Sequence, residues 1–149
     1  MSRLTLSSFD LGDVCRLAEI DALSFSTPYK AEDFSALYGS SYTHLLTARA
    51  DGRILGYISF TVIVDECQII NIAVDPQERC RGVGSFIMEG LFSFGKEKGV
   101  KKYFLEARES NAPAISLYKK YGFSQVGVSK NHYSQPREDA VLMNLELEE

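Results

Sequence analysis

The sequence predicts a single α/β domain of the α+β kind, with a mixed central sheet of about seven strands and about four helices. Its 149 residues suit one domain, which we take as residues 1–149, and 45% hydrophobic and 24% charged residues are ordinary for a globular protein. Strand-like and helix-like periodicities follow one another in the order βααβββαβαββ. A hairpin in the first half and a β-α-β crossover in the second predict both antiparallel and parallel pairing.

The N-terminal part of the chain is predicted to form one short strand and two helices. Residues 3–7 alternate like a strand. Asp10 or Asp13 can cap a helix whose apolar positions recur every three or four residues, and Ser26-Thr27-Pro28 ends it. Residues 30–38 are predicted to form the second helix.

A hairpin and a buried strand are predicted next. Residues 43–48 and 53–64 form the hairpin around a turn at Ala50-Asp51-Gly52. Residues 68–74 are nearly all apolar, which is typical of a strand covered on both faces. Simple alternation along residues 53–64 predicts one face made of Ile54, Ile58, Phe60 and Val62 and another made of Leu55, Tyr57 and Thr61.

The second half of the chain starts with a long helix over residues 82–98, for which Gly99 is the predicted C-terminal cap. The other predicted elements are a strand over residues 102–107, a helix over residues 111–121 that ends at Gly122, and closing strands over residues 123–130 and 140–147.

Composition argues against several classes of function. A net charge of −4 disfavours general nucleic-acid binding, which depends on neutralising phosphates. No apolar run is long enough to cross a membrane, and residues 1–13 lack the apolar core of a signal peptide. Cys15, Cys67 and Cys80 are scattered, and with His44 and His132 they form no metal-ligand spacing. We expect a cytoplasmic, monomeric protein with free thiols, no metal, and no nucleic-acid or membrane partner.

A glycine-rich loop separates the buried strand from the long helix. Gly82 and Gly84 have no Cβ, so the backbone can approach a ligand closely, and the first N–H groups of the helix form an anion site. Arg79 and Arg81 add positive charge. The loop matches neither a P-loop nor a dinucleotide fingerprint, and glycines also serve tight turns, so phosphate binding and a structural turn both remain open.

A second motif extends over residues 105–123 and carries an acid, an amide and a phenol on one strand-turn-helix unit. Glu106 lies on the strand, Asn111 in the turn and Tyr118 on the helix, a set that suits acyl transfer from a thiol to an amine. Each has a structural alternative. Glu106 could pair with Arg108, Asn111 could be a helix cap, and Tyr118 could be a core residue.

With both motifs in view, the chain resembles the GNAT acetyltransferases, whose acetyl-CoA motif is Arg/Gln-x-x-Gly-x-Gly/Ala; Arg79, Gly82 and Gly84 match it. Within that family it is most similar to the RimI-like group, which acetylates the N-terminal alanine of a small-subunit ribosomal protein. The residues that carry this closer similarity are Asn71-Ile72-Ala73-Val74-Asp75-Pro76, Leu105-Glu106-Ala107-Arg108, Ser110-Asn111, Ala114, Leu117-Tyr118, Gly122-Phe123, Asn131, Tyr133 and Arg137-Glu138-Asp139-Ala140.

The resemblance implies a GNAT fold whose sheet splays between strands 4 and 5, with acetyl-CoA as cosubstrate and no metal. Strand 4 would contact the acetyl and pantetheine portions, residues 80–85 the pyrophosphate, and Asn111 the pantetheine arm. The residues it assigns to the cofactor are Ile72, Ala73, Val74, Arg79, Cys80, Arg81, Gly82, Val83, Gly84, Ser85 and Asn111.

The resemblance also implies that Glu106 is the general base, Tyr118 the general acid and Tyr133 a substrate-binding residue, and packing against the closing strand is the structural alternative for Tyr133. Some GNAT enzymes place a glutamate on strand 4, so Glu66, near the start of that strand, is the second-ranked candidate base. The implied substrate is the N-terminal alanine of small-subunit ribosomal protein eighteen. Two alternatives remain, namely a GNAT enzyme for lysines or small amines and a non-catalytic CoA-binding module. The family's usual Gln is absent at Cys80 and Arg81, where backbone contacts should survive the change.

The segment around His132 departs from the family pattern more seriously. The usual Asn-Tyr-Tyr is Asn131-His132-Tyr133 here, and the stretch before Arg137 is shorter. Because this loop borders the peptide site in the family, substrate choice is the property that the departure affects.

The chemistry agrees with these roles. About a tenth of N-terminal amines, with a pKa of about 8, are neutral at pH 7, against a few lysines in ten thousand. Glu106 requires burial on its strand or a water relay to accept the amine proton. Tyr118, with an ordinary phenol pKa of about 10, can donate to the departing thiolate. The N–H of Val74 is the predicted donor to the thioester carbonyl.

Overall fold

The computed structural model describes residues 3–147, so residues 1, 2, 148 and 149 of the predicted domain lie outside the described range. Within that range the predicted order of strands and helices is confirmed. The elements are β1 Thr5–Ser7, α1 Val14–Ser24, α2 Ala31–Leu37, β2 Thr43–Ala50, β3 Arg53–Ile63, β4 Glu66–Val74, α3 Val83–Lys98, β5 Lys102–Arg108, α4 Ala112–Lys120, β6 Ser124–Tyr133 and β7 Glu138–Glu146. No helix described within residues 3–147 is long and apolar enough to span a membrane.

The strands form one mixed sheet in the order β1-β2-β3-β4-β5-β7-β6. β4 and β5 pair in parallel, and the other neighbouring strands that the structure describes pair antiparallel. Helix α3 connects the parallel pair, because parallel strands require a crossover.

Helices cover both faces of the sheet. On one face α3 and α4 pack on a large apolar cluster that includes Ile87, Leu91 and Tyr118. On the other face α1 and α2 pack on a smaller cluster that includes Leu17 and Phe34. The central strands are therefore buried from both sides, as the apolar run in β4 predicts.

The parallel pair separates halfway along its length. The ladder between β4 and β5 runs from Glu66 opposite Lys102 to Ile69 opposite Leu105 and then stops. At the same point Ile70 is skipped in the pairing of β4 with β3. A bulge of this kind bends its strand, so β4 turns away from β5 beyond Ile69. The predicted splay between strands 4 and 5 is confirmed, and it leaves an open gap.

A second bulge changes which side chains of β3 share a face. Gly56 pairs with Ala48 and Ile54 with Arg49, so Leu55 has no partner in β2. One extra residue reverses the alternation. Ile54 therefore packs in the smaller cluster, whereas Leu55 packs in the larger one. The prediction that Ile54 shares a face with Ile58 is wrong for this reason.

Close backbone approach at Gly56 gives a stability prediction. A methyl group there would come within 2.8 Å of the Ala73 carbonyl oxygen and 3.1 Å of Ile87 Cδ1. Gly56→Ala should lower the free energy of unfolding by about 1–3 kcal/mol, because the carbonyl is held by the sheet and cannot retreat. Chemical denaturation measures this loss.

Gly127→Ala is the matched control. Its added methyl would meet Leu142 Cδ1 at an ordinary 3.4 Å, so no comparable loss is expected. Equal stability of the Gly56 variant and the parent protein would contradict the packing argument.

Candidate active site

The gap between β4 and β5 is lined by peptide groups of β4. Gly56 pairs with Val74, and the Asp75 N–H donates to the Leu55 carbonyl at 2.8 Å. Peptide groups in an antiparallel pair alternate between facing the partner strand and facing away. Those of Val74 and Ile72 therefore face away from β3 and towards the gap.

Ala73, the third predicted residue of this strand, is oriented differently. Its carbonyl oxygen lies on the β3 side, next to Gly56, and its side chain is buried in the smaller cluster. Of the three residues predicted to present backbone to a ligand, Ile72 and Val74 are the two whose peptide groups are aimed at the gap. The Val74 N–H faces the gap, and its role as a donor to the thioester carbonyl stays a prediction.

The glycine-rich loop lies beyond the end of β4 and leads into α3. Cys80 and Gly82 both have positive φ, 64° and 81°, and α3 begins at Val83. Left-handed residues in such a loop curl the backbone so that successive N–H groups converge, which is an anion-binding geometry. The loop thus adds to the positive end of the α3 dipole.

The two arginines of the loop differ in their surroundings. Arg81 pairs with Glu78 at 3.6 Å, and its side chain is 62% exposed. Arg79 is exposed and has no ion-pair partner within residues 3–147. Arg79 is therefore the freer cation for an incoming phosphate.

Gly84 has a packing role in addition to the predicted contact with the cofactor, which stays a prediction. A Cβ at this position would lie 3.3 Å from Leu117 Cδ2, whereas a Cβ at Gly82 would meet nothing within 4 Å. Gly84 allows α3 and α4 to approach each other closely. Gly82 provides the left-handed turn and the open backbone.

Lys120 is a cation at this site that the sequence reasoning missed. It lies in the last turn of α4, and its Nζ donates to Ser85 Oγ at 2.9 Å. The Tyr121 hydroxyl donates to the Ser85 carbonyl at 3.1 Å. These contacts bring an ammonium group to the first turn of α3. Paired lysines at a helix C-terminus are usually a dipole effect, so the sequence carries no specific signal for this contact.

Asn111 is the N-cap of α4. Its side-chain oxygen accepts from the Ala114 N–H at 3.4 Å. The structural alternative for Asn111 is thus confirmed. The cap uses the amide oxygen and leaves the amide NH₂ group for a ligand, so both predicted roles are compatible.

Tyr118 lies on α4 and packs in the larger cluster. Its ring is 5% exposed and packs against Phe123 with centroids 5.7 Å apart. Its hydroxyl makes no hydrogen bond with another residue of the 3–147 range and is not among buried unsatisfied atoms, so it reaches the surface. Burial raises the pKa of Tyr118 well above that of a free phenol, and the neighbouring Tyr133 raises it further. The phenol therefore stays protonated and can act as a donor.

Glu106 lies on the opposite face of β5. Leu105 and Ala107 are buried in the larger cluster, so the intervening Glu106 points away from it. Its side chain is 41% exposed, and its Oε2 lies 2.8 Å from Nε2 of His132. Glu106 was expected either to be buried or to accept the amine proton through a water. It is not buried, so the water relay is the route that is left.

The predicted alternative pairing of Glu106 with Arg108 is wrong. Arg108 instead donates to Glu138 at 3.3 Å, to the Pro136 carbonyl at 3.0 Å and to the Ser134 carbonyl at 3.1 Å. Arg108 therefore stabilises the β6–β7 connection by bonding it to the end of β5.

Tyr133, the predicted substrate-binding residue, packs against Arg108 and His132 at the end of β6. The Arg108 guanidinium sits 4.5 Å above its ring. The pKa of Tyr133 is raised by burial first and by the Glu106 carboxylate second, whereas Arg108 lowers it. Tyr133 also acts electrostatically on Tyr118. Tyr133 is thus near enough to Glu106 and to Tyr118 to influence their electrostatic surroundings, and its role in substrate binding stays a prediction.

The rival base, Glu66, is remote from this group. It starts β4 and pairs in the ladder with Lys102, at the closed end of the parallel pair. Within the described 3–147 range, no group of three or more His, Cys, Asp or Glu side chains is placed to hold a metal ion.

Comparison with known proteins identifies the family. The family model described as "Acetyltransferase (GNAT) family" matches residues 14–123. This chain belongs to the GNAT family. It is an acetyl-CoA-dependent N-acetyltransferase, since GNAT enzymes use acetyl-CoA. The resemblance drawn from residues 71–143 and the predicted fold are both confirmed.

Its GNAT relatives match it from end to end. The [ribosomal protein bS18]-alanine N-acetyltransferase of Salmonella typhimurium is 34% identical over 143 residues, which is 95% of this chain and 96% of the relative. The enzyme of the same name from Escherichia coli is 32% identical, with the same coverage. The crystal structure of the ribosomal-protein-S18-alanine N-acetyltransferase from Escherichia coli superposes with a TM-score of 0.89 at 30% identity, over 99% of this chain and 96% of that one.

Proposed function

We propose that this enzyme transfers the acetyl group of acetyl-CoA to the α-amine of the N-terminal alanine of ribosomal protein bS18. The observation that carries the proposal is the similarity to enzymes named for this reaction over 95% of the chain, which includes the loop around Tyr133. The excess of neutral N-terminal amines over neutral lysines at pH 7 supports the choice of amine.

The cosubstrate contacts in this proposal follow from the gap and the loop. The N–H groups of residues 80–85 and the cations Arg79 and Lys120 would hold the pyrophosphate. The amide NH₂ group of Asn111 would bond to the pantetheine arm. Ile72 and Val74, whose peptide groups face the gap, would contact the acyl end.

The acetyl group then passes directly to the amine. The Val74 N–H polarises the thioester carbonyl, Glu106 accepts the amine proton through a water, and Tyr118 donates to the departing sulfur. No covalent enzyme intermediate is needed. Cys67 is 1% exposed, and burial raises its pKa to about 12, so its thiol stays protonated and unreactive.

A peptide competition assay tests the proposed substrate. A peptide with the N-terminal sequence of bS18, beginning with alanine and containing an internal lysine, is incubated with acetyl-CoA beside the same peptide blocked at its α-amine. Fragmentation mass spectrometry should place the acetyl group on the α-amine and find the blocked peptide unmodified. Acetylation of lysine alone, or of polyamines alone, would overturn the substrate. CoA binding without turnover of any amine would overturn the enzymatic role.

A further inference from the structure

The end of β6 forms an irregular segment that directs a histidine at the candidate base. Ser129 pairs with Ala140 and Tyr133 with Glu138, so three residues of β6 lie opposite one residue of β7. Asn131 takes a positive φ of 54° there, and its N–H donates to Asp139 Oδ1 at 2.8 Å. The extra residues bend the strand towards β5.

Both nitrogens of the His132 ring have a partner. Nε2 lies 2.8 Å from Glu106 Oε2, and Nδ1 lies 3.2 Å from Ser129 Oγ. The hydroxyl of Ser129 can donate to Nδ1, which leaves the ring proton on Nε2, where it can be donated to the carboxylate. The result is a hydrogen-bonded chain from Ser129 through His132 to Glu106.

We infer that His132 is a positioning residue for Glu106: its Nε2–H holds Oε2 and leaves Oε1 free to receive the proton of the substrate amine. This inference rests on the proposed function, because it assigns a role around the proposed base. The resemblance places a tyrosine at position 132. The hydrogen bond from His132 to Glu106 therefore depends on a residue in which this chain departs from the family pattern.

The hydrogen bond from His132 to Glu106 does not change the proton balance of the acetyl transfer. The amine nitrogen forms a bond to the carbonyl carbon, and the carbon–sulfur bond breaks with its electron pair going to sulfur. One amine proton passes through water to Glu106 Oε1 and then to solvent. Sulfur leaves as a thiolate, which accepts a hydrogen bond from the Tyr118 hydroxyl and takes its proton from solvent. His132 keeps its Nε2 proton throughout.

Protonation of the His132 ring would make Glu106 a weaker base. A second proton on Nδ1 makes the ring an imidazolium, whose positive charge weakens the adjacent carboxylate as a base. Turnover should therefore fall as the ring becomes protonated on lowering the pH.

The other charged groups near the ring have their own partners. The Tyr133 ring contacts the His132 ring with centroids 4.8 Å apart. Arg108 of β5 forms an ion pair with Glu138 of β7. Asp139, also on β7, accepts a hydrogen bond from the Asn131 N–H. Glu106 is thus the carboxylate that bonds directly to the ring.

Two substitutions separate hydrogen bonding from charge. His132→Phe removes the donor, so kcat should fall by about tenfold or more at every pH while KM for the peptide changes little. His132→Gln keeps an N–H donor but cannot titrate. The ratio of its kcat to that of the parent enzyme should rise as the pH is lowered from 8 to 5.5. Taking this ratio cancels the titration of the substrate amine.

His44→Gln is the matched control, because His44 packs between Phe60 and Phe94, away from the gap. It should leave kcat and the pH profile unchanged. A His132→Phe enzyme with kcat within twofold of the parent, or a His132→Gln ratio that does not vary with pH, would overturn the inference.

A second measurement does not depend on turnover. Nitrogen-15 NMR of the two histidines, assigned with the His44 variant, reports the tautomer of each ring. The Nε2–H form of His132 should dominate at pH 8, and Ser129→Ala should mix the two forms. A dominant Nδ1–H form would overturn the inference. If the bS18 peptide is not a substrate, the kinetics of the His132 variants are measured with whichever amine the enzyme acetylates. Failure of the proposed substrate and failure of the role of His132 therefore give different results.

Discussion

Glu106→Gln should lower kcat by about 10²–10⁴-fold, the contribution of a general base. The amide has nearly the same shape as the carboxylate but cannot take a proton from the amine. Because the side chain is 41% exposed and its pairing with His132 is near the surface, the change should alter the unfolding free energy by no more than about 1 kcal/mol. Steady-state kinetics and thermal unfolding together measure the two quantities.

The matched control for Glu106 is Glu66→Gln. Glu66 lies on the neighbouring strand of the same parallel pair but at its closed end. It should keep the kcat of the parent enzyme. If Glu66→Gln were the inactive variant and Glu106→Gln the active one, the assignment of the base would have to be reversed.

Tyr118→Phe should lower kcat by about a hundredfold or more, because one donor to the developing charge on sulfur is lost. Because the pKa of Tyr118 is raised, complete transfer of its proton to a thiolate is less favourable than transfer from an ordinary tyrosine would be. Its main contribution is therefore a hydrogen bond that strengthens as the carbon–sulfur bond breaks. The ring still packs against Phe123, and the hydroxyl has no partner among residues 3–147, so stability should be preserved.

Tyr103→Phe provides the comparison for Tyr118. Tyr103 is also a buried tyrosine of the larger cluster, and burial raises its pKa to about 12. Its hydroxyl lies under Gly95 of α3, away from the gap. Its loss should leave kcat within about twofold of the parent. Stopped-flow detection of CoA release distinguishes the two variants, and equal losses in both would contradict the role of Tyr118.

The two catalytic candidates lie on opposite faces of the sheet. Tyr118 is on a helix that packs on the larger cluster, and Glu106 projects from β5 towards the other side. In the proposed reaction the thioester and the amine would therefore approach from different sides of the sheet and meet where β4 and β5 separate.

Local patterns were enough to predict the elements and the chemical groups. The order of strands and helices follows from side-chain periodicity and from caps such as Gly99 and Asn111, which act within a few residues of the chain. The glycine-rich loop was recognisable because Gly82 directly precedes a helix. Glu106, Tyr118 and Asn111 were candidates for the same reason, since their spacing is short and their residue types are informative.

Contacts between distant segments were not predictable in this way. Arg108 was expected beside Glu106, two residues away, but bonds to the loop that begins 26 residues later. Lys120 meets Ser85 across 35 residues. Both long side chains can turn in several directions, and packing selects one of them.

The sequence by itself determined the family and the order of elements, and it named Glu106 and Tyr118 as the candidate base and acid, because those depend on residue type and short spacing. Only the tertiary structure decided where these side chains lie. The bulge at Ile70 opens the gap, and the bulge at Leu55 reverses a face. The irregular end of β6 gives Glu106 its histidine partner. Bulges depend on which strands pair and in which register, and register is a property of two segments together rather than of either one.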